Sequence, residues 1–359
     1  MKELKIIHTA DIHFDTAFSG LAETAKAAVR RQDLKKTFSR IIDAAKDCDM
    51  LFISGDLFDG KTVSRSTLDF LKASFAEISH VAVFICAGNH DCYDEQSVYN
   101  TFDFGENVHV FKTTPERVET ECADVYGVSF QKANDERMLL SEFAPVNPDK
   151  INLLVLHGNL AGEGYNPIKQ ADLENCGMDY VALGHIHAAS GIQRRGTCFF
   201  AYPGCPEGRG FDEIGEKGVL SLSVTKSSVK AEFIPTCQRM YIREKIDVTD
   251  ATSIEDIAVL LQQAHQGDDH MYRFYLVGKR IFPIDVEVLK KSVCGFDVSV
   301  IDETTPAVDF VKLSQEFSLK GLFAKFALEA KDDMEPEAFA RAFDAGFSLI
   351  EKEERNENR

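Results

Sequence analysis

The chain has 359 residues, 44% of them hydrophobic, and its 58 acidic against 40 basic side chains give a formal charge of -18. That length exceeds what one growing core organises, so two domains, or one large domain with an appendage, are expected. The charge excludes a protein that coats nucleic acid unaided, because sequence-independent DNA affinity comes from Lys and Arg displacing counterions; a polynucleotide substrate would need bound cations, a local basic patch or a partner.

Taken in chain order, five apolar runs break abruptly into polar residues. Leu4 to Ala10 ends in Asp11-Ile12-His13, Met50 to Ser54 in Gly55-Asp56-Leu57-Phe58-Asp59, and Val81 to Ala87 in Gly88-Asn89-His90-Asp91. Ile151 to Leu156 then ends in His157-Gly158, and Tyr180 to Leu183 in Gly184-His185-Ile186-His187. Near-continuous apolarity marks parallel strands covered on both faces, and in open α/β sheets the chemistry gathers beyond their carboxyl ends. Between the runs, Val29, Leu34, Phe38, Ile41, Ile42 and Ala45 predict a helix over 21–46. Its opposite face, with Arg30, Arg31, Lys35, Lys36 and Arg40, reads as solvated, a DNA-backbone contact being the sharper alternative. Leu68, Leu71, Phe75 and Ile78 predict a second helix over 64–78, so layered α/β structure is expected.

Short strands and turns follow over 108–130, a short helix over 168–176, and further strands over 196–202 and 218–224. The glycine- and proline-punctuated loop 203–212 reads as a turn; near a reactive site it could touch substrate, with Arg209 as the phosphate contact. Pro235 marks a domain boundary: 1–235 is the first domain, 236–305 a small α+β domain, and 306–359 a helical tail. The tail's Phe310, Leu313, Phe317, Leu319, Leu322, Phe323, Phe326, Phe339, Phe343 and Phe347 could pack internally or dock a partner, and residues 351–359 read as a frayed charged end. Nine cysteines without a C-x-x-C pair read as small buried thiols. No apolar run is long enough to span a bilayer and the sequence opens directly on a strand pattern, so a cytoplasmic location is expected.

Asp11, His13, Asp56, Asn89, His157, His185 and His187 form a carboxylate, amide and imidazole set without thiolate, which suits Mn²⁺, Mg²⁺, Fe²⁺ or Zn²⁺. Seven ligands are too many for one catalytic ion with open positions, so two divalent ions are expected, bridged by Asp56. Such a pair lowers the pKa of water and clamps a phosphoryl group, which predicts phosphoester hydrolysis. His90 is the candidate proton donor to the leaving oxygen, and Asp91 the carboxylate expected to orient it.

In that order, Asp11-x-His13, Gly55-Asp56-x-x-Asp59, Gly88-Asn89-His90-Asp91, His157 and Gly184-His185-x-His187 resemble the five motifs of the calcineurin-like metallophosphoesterases. Within that superfamily the chain resembles SbcD-type DNA exonuclease subunits, through the residues around Asp11 and Asp56, Tyr202-Pro203-Gly204 and Arg209-Gly210-Phe211. The resemblance implies a four-layer α/β/β/α sandwich. It implies one ion on Asp11, His13, Asp56 and His187 and the other on Asp56, Asn89, His157 and His185, with Mn²⁺ the first expectation for both. It further implies a capping domain, a tail gripping a coiled-coil SbcC-type ATPase, DNA as substrate, and a possible homodimer. Asp59 stands where some repair nucleases have histidine, which implies a role behind the ligands. Gly60 replaces the arginine of phosphoprotein phosphatases. A stand-alone phosphodiesterase or phosphatase for small nucleotides and a non-catalytic scaffold remain the competing readings.

Overall fold

The computed structural model describes residues 3–350 apart from 22, 161, 308, 332, 333, 336–338, 340, 341, 344 and 348. The charged end expected to fray, 351–359, lies outside the described residues. The chain divides into two compact units, Met1–Ile242 and Arg243–Arg359.

The first unit begins with β1 (Leu4–Thr9), α1 (Thr24–Ala45), β2 (Met50–Ser54), α2 (Arg65–Glu77), β3 (Ala82–Cys86), α3 (Val98–Thr101) and β4 (Val108–Val110). It continues with β5 (Glu116–Glu119), β6 (Ala123–Gly127), β7 (Ile151–His157), α4 (Gln170–Asn175) and β8 (Tyr180–Gly184). The strands β9 (Gln193–Arg195), β10 (Cys198–Ala201), β11 (Gly218–Val224) and β12 (Val229–Pro235) complete it. One sheet has the order β12-β11-β1-β2-β3-β4 and the other β5-β6-β7-β8-β10-β9. The central strands β1 to β4 run parallel, as do β6, β7, β8 and β10. Antiparallel β11, β5 and β9 flank them.

Alternation along these strands builds the layers. Ile7, Leu51, Ile53, Val83 and Ile85 pack with Leu34, Phe38 and Ile41 of α1 and Leu71 and Phe75 of α2. Their neighbours Ile6, Met50, Phe52 and Phe84 point the other way, onto Val125, Leu153, Val155, Tyr180 and Ala182 of the second sheet. The far face of that sheet, with Leu154, Leu156, Val181 and Leu183, packs with Leu139, Leu140, Phe143 and Leu173. The unit is therefore the expected four-layer α/β/β/α sandwich. Ser64 caps α2, its Oγ accepting from the Thr67 N–H at 3.2 Å.

Helix α1 departs from its reading in one respect. Val29, placed on the apolar stripe, is partly exposed, whereas Arg30, placed on the solvated face, is fully buried. The loop after β10 brings Glu207 onto the first turns of α1, and a carboxylate there draws the guanidinium inward.

The second unit holds a three-stranded sheet of β13 (Tyr241–Asp247), β14 (Met271–Val277) and β16 (Asp297–Asp302), with helices α5 (Ile254–Gln263) and α6 (Val286–Ser292) and a short pair β15 (Lys279–Arg280) and β17 (Thr305–Pro306). Pro235 closes β12, while the division itself falls inside β13. Helices α7 (Phe310–Leu313) and α8 (Leu319–Ala330) follow. Phe323, Phe343 and Phe347 pack with one another, ring centroids 5.1 and 5.7 Å apart, while Phe317, Leu319, Leu322 and Phe326 are exposed. No described helix is long and apolar enough to cross a membrane.

Candidate metal centre

All seven ligand-type residues leave the carboxyl ends of β1, β2, β3, β7 and β8, where the two sheets meet. Four of them occupy the left-handed backbone region: Asp11 at φ 53°, His13 at 53°, Asp56 at 50° and His185 at 107°. Such conformations cost non-glycine residues about 1–3 kcal/mol each and persist only where surrounding bonds over-determine them. Those bonds are present. The Asp11 N–H donates to the Gly55 carbonyl and the His13 N–H to the Asp56 carbonyl, both at 3.0 Å, and the His185 N–H reaches both Asp11 carboxylate oxygens at 3.1 and 3.2 Å. Gly55 itself, at φ 92°, leaves no room for a Cβ because the His157 ring lies against it.

Asp56 sits at the middle. Its Oδ2 is 3.7 Å from His13 Nε2 and 3.7 Å from His157 Nε2, and its Oδ1 accepts the His90 N–H at 2.9 Å. His187 Nε2 is 3.8 Å from Asp11 Oδ1. Asn89 Oδ1 is 3.0 Å from His157 Nε2 and 3.1 Å from His185 Nδ1. Donors sharing one ion at about 2.1 Å stand about 3–4 Å apart, which these spacings match. Two further observations fit a cation. His13 Nε2 is buried and has no hydrogen-bond partner. His157 Nδ1 donates to the Ser54 carbonyl at 2.9 Å, which leaves its Nε2 a lone pair facing the Asn89 and Asp56 oxygens.

Electrostatics point the same way. Burial lowers the His13 pKa, and burial with the neighbouring His157 lowers that of His185 to about 4, so both rings are neutral and can offer lone pairs. Burial raises the Asp11 carboxyl, against the pull of His157 and His187, while at Asp56 burial is outweighed by His157 and His13 and the pKa falls. A buried carboxylate pair with opposed shifts is the arrangement that added positive charge resolves.

Behind the ligands stand carboxylates that fix ring orientation. Asp59 Oδ1 accepts from His13 Nδ1 at 3.1 Å and from Arg209 Nη1 at 3.2 Å, and lies 3.5 Å from His90 Nδ1. Glu213 Oε1 accepts from His187 Nδ1 at 2.6 Å and from Arg209 Nη2 at 3.1 Å. His90 is the accessible member, 43% exposed at its side chain, with ring nitrogen within 4.8 Å of His13 and Asp56 donors. Asp91 does not orient it, contrary to expectation. Its carboxylate is buried and accepts from the N–H groups of Leu57 (2.8 Å), Phe58 (3.2 Å) and Gly88 (2.7 Å) and from Tyr99 Oη (2.6 Å). Three chain segments are tied together there, and the carboxylate nearest the His90 ring is that of Asp59. Arg209 is likewise committed to Asp59 and Glu213 instead of standing free for a phosphate. Glu213 had no sequence signal beyond its acidity. Tyr165 had none either; its ring, at φ 52°, stacks 5.1 Å from His185.

The sandwich with a cluster of metal-ligand-type side chains at its strand ends has the architecture of metal-dependent phosphoesterases. Residues 4–189 match the model of the calcineurin-like phosphoesterase family, and the chain belongs to that family. One relative, the uncharacterized metallophosphoesterase YhaO of Bacillus subtilis (strain 168), is 30% identical over 271 residues, 71% of this chain and 65% of its own length. The DNA double-strand break repair protein Mre11 of Methanopyrus kandleri is 23% identical over 236 residues, 60% of this chain and 51% of its own length. The match thus spans less than two thirds of either relative. Among solved structures, TT1561 of Thermus thermophilus is similar with TM-score 0.39 and 10% identity, covering 65% of this chain and 99% of that one. The purple acid phosphatase PPD1 of yellow lupin is similar with TM-score 0.39 and 12% identity, covering 65% and 52%.

Proposed function

We propose that this metallophosphoesterase cleaves phosphodiester bonds at DNA ends with two divalent ions, as an SbcD-type exonuclease in DNA repair. The carrying observation is Asp56 Oδ2, equally spaced at 3.7 Å between His13 Nε2 and His157 Nε2, one from each expected ligand set. When bound, two such cations supply a water of lowered pKa and neutralise charge on the phosphoryl oxygens. Asp11, His13, Asp56 and His187 would hold one, and Asp56, Asn89, His157 and His185 the other. Mn²⁺ is the proposed ion; the set of hard oxygens and imidazole without thiolate suits it, as it does Mg²⁺, Fe²⁺ or Zn²⁺. His90, exposed beside the cluster, protonates the leaving oxygen, and Asp59 orients its ring.

The similarity to Mre11, a DNA double-strand break repair protein, supports the DNA reading. A chain charged at -18 needs help in holding DNA, from bound cations and a partner. An SbcC-type coiled-coil ATPase seated on the exposed Phe317, Leu322 and Phe326, and a homodimer, complete the proposal, with 236–305 as the cap. The same acidity favours a second reading, a phosphodiesterase for small nucleotides. Mn²⁺-dependent shortening of end-labelled linear duplex supports the first. Turnover of bis(p-nitrophenyl) phosphate with inert DNA, with and without the ATPase, would replace it by the second.

A further inference from the structure

Arg30 is the largest fully buried side chain of the chain's described residues, and the reaction makes no use of it. Its Nη1 donates to Glu207 Oε1 at 2.7 Å and to Asp33 Oδ2 at 3.1 Å, and its Nη2 to the Gly208 carbonyl at 2.6 Å. The rings of Phe18 and Tyr241 lie 5.4 and 5.7 Å from the guanidinium carbon. Glu207 also accepts from Thr37 Oγ1 at 2.7 Å and from the N–H groups of Gln238 and Arg239 at 2.6 and 3.3 Å. Desolvation makes such a pair a poor source of net stability compared with apolar side chains of the same shape, whereas breaking one half of it is costly. What it provides is a fixed place for the loop that carries Glu207.

That loop, 203–213, also carries Arg209 and Glu213, the two residues that fix His187 from behind. Tyr241 Oη donates to the Arg209 carbonyl at 3.0 Å, and the Cys205 N–H to the His187 carbonyl at 3.2 Å. The chain of contacts therefore runs from α1 through Glu207 and Glu213 to His187, and through Arg209 and Asp59 to His13, both in the same half of the cluster. His157, Asn89 and His185 are held by other means: the Ser54 carbonyl, strand β3, and Asp11.

We propose that the Arg30–Glu207 ion pair is a positioning device for the metal centre, which pins loop 203–213 to α1 and so sets the cation affinity of the half served by His187. The proposal rests on reading Asp11, His13 and His187 as cation ligands, and the test separates the two claims.

The experiment is a Mn²⁺ titration of the chelator-stripped full chain, followed by electron paramagnetic resonance and calorimetry. The unaltered chain is expected to bind in two steps. Arg30→Met with Glu207→Met is expected to leave one step as it was and to weaken the other at least tenfold, and Glu213→Gln to weaken that same step. As a control for general packing, Arg117→Met with Asp124→Leu removes another ion pair, 2.9 Å long with Asp124 fully buried, away from the cluster, and is expected to leave both steps unchanged. Thermal melting in chelator verifies folding; if the Met pair does not fold, Thr37→Val deletes one bond to Glu207 and is expected to weaken the same step a few-fold. Two unchanged steps in a folded Met pair, equal weakening of both, or equal weakening by the control pair overturns the positioning role. Failure of the unaltered chain to bind Mn²⁺ overturns the metal-centre reading itself.

Discussion

At His90 the arrangement separates binding from reaction. The ring is exposed and stands beside the ligands, and its contact with Asp56 is through the backbone N–H at 2.9 Å, which any side chain preserves. His90→Gln is therefore expected to lower kcat by about 10²–10⁴-fold, the range for loss of a general acid, while Mn²⁺ titration still shows two bound ions. Loss of an ion together with kcat would place His90 among the ligands instead. Glu213 gives a second residue-scale test, through pH. Burial would raise its pKa, but His187 and Arg209 outweigh burial and lower it from 4.5 to about 2. A carboxyl with a depressed folded pKa contributes stability that is present above the unfolded value and is lost as pH falls toward the folded one. In urea unfolding with chelator present, stability attributable to this group is expected to decline between about pH 4.5 and 2, by about 3 kcal/mol in all. Glu213→Gln is expected to flatten that acid limb.

Among the elements, the strand ends decide what could be read from sequence. An apolar run followed by a polar ligand is a local signal, so Asp11, Asp56, Asn89, His157 and His185 were visible before any contact was known, as were the layers that the runs imply. Of the residues behind them, Asp59 is placed by the resemblance, whereas Glu213 and Arg30 carry no local signal, because their meaning depends on partners far along the chain. Glu213 meets His187 at a sequence separation of 26, and Arg30 meets Glu207 at 177. Asp91 shows the opposite failure: adjacency to His90 implied a contact, but the turn after β3 points the two side chains apart. The sheets themselves meet at Gly184, where a Cβ would overlap the Ser54 carbonyl oxygen at the end of β2. Neither backbone can yield without moving β2 or β8, so Gly184→Ala is expected to lower the melting temperature sharply and to weaken Mn²⁺ binding at the His157 and His185 side. A melting temperature within about 2 °C of the unaltered chain would mean that the sheets have slack there.

Over the whole molecule, a charge of -18 opposes a polyanionic substrate, so the cluster has to supply the attraction. Asp11 and Asp56 contribute at most two buried negative charges, which two divalent cations would more than offset, so loading would invert the local sign. DNA affinity of the chain alone is then expected to depend on the cation and to be carried by very few phosphates. Each neutralised phosphate contributes a slope of about -0.9 to the dependence of log K on log salt, so a slope no steeper than about -2 is expected. Anisotropy of an end-labelled duplex with the His90→Gln variant in Mn²⁺ measures this without cleavage. Binding that survives chelation, or a slope as steep as that of a basic DNA-coating protein, would locate the affinity on a surface and not at the ions. If the shallow slope holds, affinity sufficient for work on DNA in salt must come from a second molecule. The steepening of that slope on adding a coiled-coil ATPase then measures how many phosphate contacts the partner contributes.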